Sequence, residues 1–170
     1  MKSLFSRLFR QIEPSGINAL WHDVVAIARE PEWYRDAQVA DTIEGRFDMV
    51  SAVTALTMAR LQDSGDPRHG VELIELFITD MDGQLREEGV GDLMVGKHIG
   101  KLVSALGGRI SAYREGLESD DPAVLDEAVR RNVTLLDGAS PGPVAKRLRG
   151  LWADLAATPM DQLLQGKVAR

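Results

Sequence analysis

The sequence contains no cysteine and few aromatic residues, which make up only 5% of its 170 residues. Without cysteine the chain can form no disulfide, no thiolate metal site and no cysteine nucleophile. Because aromatic side chains are scarce, a core must be built mainly from Leu, Val, Ile, Ala and Met. A chain of this length can bury such a core in one compact domain.

Long hydrophobic runs are also missing. The longest central stretch without a charged side chain covers residues 49–59, whereas a membrane-spanning helix needs about 20 apolar residues. No spanning segment is therefore predicted, and the composition is typical of a soluble globular protein.

The formal net charge of -6 is unevenly distributed along the chain. Seven acidic residues and a single base, Arg86, lie between Glu72 and Asp92, whereas from Arg130 onward seven bases outnumber three acids. The sequence thus predicts an acidic middle and a basic end.

The first twelve residues, MKSLFSRLFRQI, place apolar side chains at helical spacing and carry only basic charges. They predict a basic amphipathic helix over residues 1–12, which either docks on its own domain or lies on an anionic membrane or a partner. This segment lacks the apolar run and cleavage site of a secretory signal. In the membrane interpretation the contacting residues are Leu4, Phe5, Arg7, Leu8, Phe9 and Arg10.

From residue 18 onward, apolar residues recur at spacings of three and four, without the alternation of a strand. Helices are predicted over residues 18–29, 42–62, 71–85 and 92–117, followed by three shorter ones after Asp121, around 144–155 and after Thr158. Pro31 and Gly138 are expected to end helices, and Thr158 to open a capping box. The second helix is expected to be buried on more than one face. The predicted fold class is all-α, with a single compact domain over residues 15–166.

A ridge of small residues occurs at every fourth position of the predicted helix 92–117. Glycine inside a helix costs about 1 kcal/mol relative to alanine, so the ridge favours a close crossing by another helix of the domain. A helix of a partner protein is the alternative occupant. The ridge comprises Gly96, Gly100, Ser104, Gly108 and Ala112.

Two stretches resemble catalytic or nucleotide-binding motifs but lack their chemistry. Residues 91–98 nearly match a phosphate-binding loop, but His98 replaces the required hydroxyl and no strand precedes the loop. Residues 138–142 match G-x-S-x-G, yet Pro141 has no N–H to donate to an oxyanion. We therefore predict no nucleotide site and no enzyme activity.

Metal and cofactor sites are not predicted either. Asp80 and Asp82 begin like a calcium loop without its later ligands, and the three histidines are far apart in sequence. We predict no metal, no cofactor and no specific nucleic acid among the ligands.

Three ordered motifs carry a resemblance to a known family. They are AREPEWY at residues 28–34, DTIEGRFD at 41–48 and DMDGQLREEGVGDLMVGK at 80–97. In order and spacing they are similar to the motifs of the ubiquinol-cytochrome c chaperone family, over about residues 21–113. The sequence departs from the family pattern at residues 106–109, and no binding role is predicted for that corner.

The resemblance implies an all-α, non-catalytic assembly factor for ubiquinol-cytochrome c reductase that acts on newly made cytochrome b. The lack of a long presequence predicts a bacterial cytoplasmic protein, peripheral at the inner face of the cytoplasmic membrane, with the ribosome or the membrane surface as a further contact. The remaining alternatives are a generic helical adaptor without a respiratory client and an enzyme that uses the carboxylate cluster with a metal.

An acidic surface is the predicted partner-binding site. Cytoplasmic loops of membrane proteins are rich in Lys and Arg, which such a surface would complement. The alternative is a solvated helix end without a partner. The predicted surface consists of Asp80, Asp82, Glu87, Glu88 and Asp92, with Arg46, Arg86 and Lys97 pairing with some of these acids.

Overall fold

The computed structural model describes residues 16–87, 89 and 91–168, without the side chains of residues 92, 93 and 95. The predicted helix over residues 1–12 lies outside this range. Eight helices lie within the described part, and the predicted all-α class is confirmed. In chain order they are α1 (Gly16–Ala28), α2 (Pro31–Arg35), α3 (Ile43–Gln62), α4 (Pro67–Glu87), α5 (Asp92–Glu118), α6 (Pro122–Asn132), α7 (Gly142–Ala157) and α8 (Met160–Leu164).

Helix α3 lies at the centre of the fold. Every residue from Met49 to Ala59 is buried, because α1, α4, α5 and α7 all pack against this helix. The hydroxyls of Thr54 and Thr57 donate to backbone carbonyls one turn earlier in the same helix, at 2.7 and 2.9 Å. These bonds satisfy polar groups inside an apolar core. The prediction that α3 is buried on more than one face is confirmed.

Pro31 begins a helix as well as following one. It is the first residue of α2, a position where the missing N–H would have no partner within the helix. The indole of Trp33 is buried beneath α2 and donates to the carbonyl of Ile27 at 2.7 Å. The sequence prediction treated Pro31 only as a stop and therefore missed α2.

Thr158 closes one helix rather than opening the next, so the predicted capping box is wrong. Its hydroxyl donates to the carbonyl of Asp154 at 2.7 Å, at the end of α7. Helix α8 follows Pro159 without any side-chain cap. With so short a connection, one hydroxyl can reach either helix end, and the sequence does not distinguish the two.

A backbone connection joins the α2–α3 loop to the α6–α7 loop. Val39 and Leu135 form an antiparallel bridge, and the amide of Ala40 donates to the carbonyl of Thr134 at 2.9 Å. This pairing draws the chain out of the helix after Asn132. Consequently Gly138 lies in the loop and does not end α6, so that prediction is wrong. The connection also brings Thr134 close to α3.

The three glycines of the small-residue ridge of α5 meet no other helix in the described part of the chain, whereas Ala112 at the end of the ridge packs against the core. A side-chain carbon added at Gly96, Gly100 or Gly108 would find no atom within 4 Å. The predicted helix crossing is therefore wrong at these glycines, and the side chain of Val103 on the same helix is exposed as well. The close approach occurs instead at Gly116, where an added carbon would lie 2.7 Å from the α-carbon of Leu125 in α6.

None of the helices in the described ranges is both long and apolar enough to cross a membrane.

Candidate functional site

A cleft of about 540 Å³ is bordered by the start of α3, the end of α4 and part of α5. Its walls come mainly from two of the sequence motifs, those at residues 41–48 and 80–97. We call it the apolar cleft. Its lining residues are Ile43, Glu44, Phe47, Asp48, Met81, Gln84, Leu85, His98, Leu102 and Thr134.

Aromatic packing forms the base of the apolar cleft. The ring of Phe47 lies 6.4 Å from that of Phe77, and Phe77 makes an edge contact with Trp21 at 6.2 Å. Edge and tilted ring contacts of this kind stabilise a core beyond simple burial. At the rim, the side chain of Ile43 is 63% exposed. The cleft therefore combines a packed aromatic base with an exposed apolar residue at its rim.

A buried ion pair supports one wall of the cleft. Nη2 of Arg109 donates to Oδ1 of Asp48 at 2.7 Å, and the two side chains are only 11% and 13% exposed. The guanidinium also lies over the ring of Phe47, 5.8 Å from its centroid. Thr134 completes the arrangement, because its amide and hydroxyl donate to Oδ2 of Asp48 at 3.0 and 2.8 Å.

Burial governs the electrostatics of this pair. It raises the pKa of Asp48 above the usual value, and the hydroxyl of Thr134 and the charge of Arg109 offset that rise only in part. Burial likewise raises the pKa of the neighbouring phenol of Tyr113. Both shifts follow from moving ionisable groups away from water. The pair serves to hold α3, α5 and the α6–α7 loop together.

The ring of His98 is held by its own helix. Its Nδ1 lies 2.8 Å from the carbonyl of Met94, one turn earlier. His98 forms part of the wall of the apolar cleft. Across the described residues there is no group of three or more His, Cys, Asp or Glu that could hold a metal ion.

The predicted acidic surface is divided between the two sides of α4. Asp80 and Glu87 line a second cleft of about 440 Å³ together with Trp21 and Arg29. We call this the acidic cleft. Gln84 lies between the two clefts and lines both. Asp82 is not part of either lining; its carboxylate accepts from Nε of Arg86 at 2.8 Å.

The other predicted partner residues lie elsewhere or cannot be placed. Arg46 does not pair with the acids of α4; its Nε donates to Asp41 at 2.7 Å, beside a different cleft. Lys97 is exposed on α5. Glu88 and the side chain of Asp92 lie outside the described residues, as do all the predicted membrane-contact residues.

Arg109 and Asp48 are the residues of this region that the sequence prediction missed. No binding role was predicted for residues 106–109, yet Arg109 contacts both Asp48 and Phe47 of the cleft. A signal was present, since Arg109 interrupts an apolar stripe and Asp48 lies between Phe47 and Met49. Charged residues in such positions are almost never fully buried unless paired.

Comparison with known proteins agrees with the motifs. A model of the ubiquinol-cytochrome c chaperone family matches residues 35–169. The chain belongs to this family. Its fold is similar to the crystal structure of the Cbp3 homolog from Brucella abortus, with a TM-score of 0.78 and 28% sequence identity, over 91% of this chain and 87% of that one. No match was found among curated proteins.

Proposed function

We propose that this protein is an assembly chaperone of ubiquinol-cytochrome c reductase and that it holds newly made cytochrome b at the apolar cleft. The observation that carries the proposal is the convergence of two family motifs on one cleft, with a packed aromatic base and an exposed Ile43 at its rim. The proposal assigns the protein no catalytic step.

The apolar cleft suits a client segment that has not yet packed against its own partners. Phe47, Leu85 and Leu102 present apolar surface between polar rim residues such as Glu44. Protein interfaces commonly place an apolar anchor in a pocket surrounded by polar groups. A side chain of the client inserted beside Ile43 would bury surface that is open in the free protein.

The acidic cleft supplies the electrostatic part of the same proposal. Asp80 and Glu87 lie on the side of α4 that faces away from the apolar cleft, with Gln84 between them. Loops of membrane proteins that face the cytoplasm are enriched in Lys and Arg. Such a loop could contact these acids while an adjoining apolar segment enters the neighbouring cleft. The proposal therefore places the protein at the inner face of the cytoplasmic membrane.

Capture of cytochrome b from detergent-solubilised membranes of the native host tests the proposal. The test variant is Ile43→Glu, which places a charge at the rim of the apolar cleft. The matched control is Val71→Glu on α4, since Val71 is 56% exposed and does not line the cleft. Both changes replace an exposed apolar residue by the same acid, so their effects on stability and net charge should be alike.

We expect the wild-type chain and Val71→Glu to enrich cytochrome b and Ile43→Glu to enrich it several-fold less. Equal capture by all three proteins would contradict the assignment of the cleft. If the wild-type chain captured other membrane proteins but no cytochrome b, it would be a generic adaptor and the client assignment would be wrong.

A further inference from the structure

A third cleft, of about 720 Å³, lies beside α2; it shares Arg29 with the acidic cleft and no residue with the apolar cleft. It is lined by Arg29, Pro31, Tyr34, Arg35, Asp41 and Arg46. Three guanidinium groups thus face one carboxylate in a protein whose net charge is -6. We call it the arginine cleft.

Two of these arginines have unused donors. The guanidinium of Arg29 makes no hydrogen bond or ion pair with any described residue, and Arg46 uses only Nε, which donates to Asp41. The third, Arg35, is already paired with Asp36 at 2.8 Å and lies 3.8 Å from Glu32. The unused guanidinium donors of the cleft therefore belong mainly to Arg29 and Arg46.

Tyr34 lies beside the two arginines that keep unused donors. Its hydroxyl donates to the carbonyl of Ala28 at 2.8 Å, which ties α2 to the end of α1. Half-burial raises the pKa of this phenol, while the charges of Arg46 and Arg29 act to lower it. Both guanidiniums are therefore near enough to the ring to influence it, and the ring with Pro31 gives the cleft an apolar side.

We propose that the arginine cleft binds a phosphate group attached to a larger organic molecule. The guanidinium group of arginine can donate two parallel N–H hydrogen bonds to the oxygens of a phosphate, and these bonds are short and charge-assisted. The cleft is much larger than a bare phosphate ion, and the wall of Tyr34 and Pro31 gives the attached organic part an apolar contact. The source is either a soluble phosphate ester or the headgroup of an anionic lipid.

The test compares two double variants that remove the same charge. The double variant with Arg29→Gln and Arg46→Gln removes the two guanidinium groups that carry the unused hydrogen-bond donors. Arg130→Gln with Arg131→Gln is the control, because these exposed arginines on α6 both contact the single acid Glu127, as Arg46 contacts Asp41. Exposed pairs of this kind contribute little to stability, so equal melting temperatures should show that both variants fold.

The probes are glycerol phosphate and vesicles of phosphatidylcholine with or without phosphatidylglycerol, all at constant ionic strength. Calorimetry follows the soluble probe and co-sedimentation follows the vesicles. We expect at least one probe to bind the wild-type chain and the control with the same affinity. The same probe should bind the Arg29/Arg46 variant with an affinity lower by a factor of at least about ten.

The pattern of loss identifies the source of the phosphate. Loss of glycerol phosphate binding indicates a soluble ester, whereas a loss seen only with phosphatidylglycerol vesicles indicates a lipid headgroup. The proposal is overturned if neither probe binds the wild-type chain, or if both double variants weaken binding equally, since that would reflect net charge alone. None of these results bears on cytochrome b capture at the apolar cleft.

Discussion

Arg109 of α5 and Asp48 of α3 form a 2.7 Å ion pair although 61 residues separate them in the chain. Removing one member of a buried pair leaves the other charge without compensation, which typically costs about 3–5 kcal/mol. Because this pair keeps slight exposure, we expect Arg109→Met to lower the free energy of unfolding by about 2–4 kcal/mol in urea denaturation.

The control for this prediction is Arg114→Met, whose ion pair with Asp63 is more exposed and should contribute less. The double variant Asp48→Leu with Arg109→Met should lose less stability than the sum of the two single variants. Strict additivity would mean that the two side chains are not energetically coupled.

The hydroxyl of Thr134 should weaken the pH dependence of stability that the buried carboxyl of Asp48 causes. Burial raises the folded-state pKa of Asp48, and this hydroxyl is the largest influence opposing the rise. Stability contributed by an acid with a raised folded pKa is present below the unfolded value, about 3.9, and is lost as pH rises through the folded value. Thr134→Val should raise the pKa of Asp48 further.

The loss of stability in Thr134→Val should therefore be small near pH 3 and grow to about 1–2 kcal/mol at neutral pH, where the hydroxyl would donate to a charged carboxylate. Carbon-13 titration of Asp48 and urea denaturation at several pH values measure the two effects. Thr79→Val is the control, because the hydroxyl of Thr79 donates to a backbone carbonyl. A pH-independent loss in Thr134→Val would argue against the linkage.

Two glycines of α5 should respond in opposite directions to the same substitution. At Gly116 a new methyl group would lie 2.7 Å from the α-carbon of Leu125, so Gly116→Ala should destabilise the protein by about 1–3 kcal/mol through overpacking. At Gly100 nothing lies within 4 Å, and Gly100→Ala should stabilise it by up to about 1 kcal/mol. Thermal denaturation measures both. Equal effects would show that α6 does not approach α5 at Gly116.

Charge reversal in the acidic segment tests the electrostatic part of client binding. Changing Glu87, Glu88 and Asp92 to Lys should weaken cytochrome b capture, because a loop rich in Lys and Arg would then be repelled. Helical circular dichroism should be unchanged. The control reverses three exposed acids elsewhere in the chain, Glu72, Glu75 and Glu118. Capture that stays at the wild-type level in the first variant would leave these acids without a role in recognition.

The N-terminal segment is predicted from sequence to bind membranes. Three basic residues near an anionic surface contribute roughly 1 kcal/mol each, while the acidic remainder of the chain is repelled. We expect weak binding of the full chain to anionic vesicles at low salt, release as ionic strength rises, and loss of most binding when residues 1–12 are deleted. Co-sedimentation and a melting curve should be measured together. If the chain ignores vesicles but melts much earlier without this segment, the helix belongs to the core.

Helix bounds were largely predictable because their signals are local. Asp121 accepts from the amide of Ala123 at 2.9 Å and caps α6 as its sequence indicated. Gly89 has a positive φ in the α4–α5 connection, where a break was expected. Such effects involve residues within about one helical turn, so the sequence contains both partners side by side. The error at Thr158 arose where two neighbouring helices could use the same residue, and the error at Gly138 arose because the bridge between Val39 and Leu135 ends α6 earlier.

The candidate sites could be predicted only in part. The sequence singled out the motifs around Phe47 and Asp80, but it treated the acids of α4 as one surface. Residues 80 and 82 are about 200° apart around a helix. Because α4 packs against α1, α3 and α5, the two side chains lie on different sides of α4. Arg46, expected beside those acids, pairs with Asp41 because the start of α3 brings the two together.

By itself, the sequence determined the all-α class, most helix ends and the burial of α3, since the uncharged run from Met49 to Ala59 leaves that helix no polar face. Only the tertiary structure decided that Arg109 meets Asp48, that Gly116 rather than Gly100 is crowded, and that Arg29 and Arg46 share a cleft. Each of these depends on the distance and rotation between packed helices. Those quantities are set by the fit of many side chains from remote parts of the chain, so no local pattern encodes them.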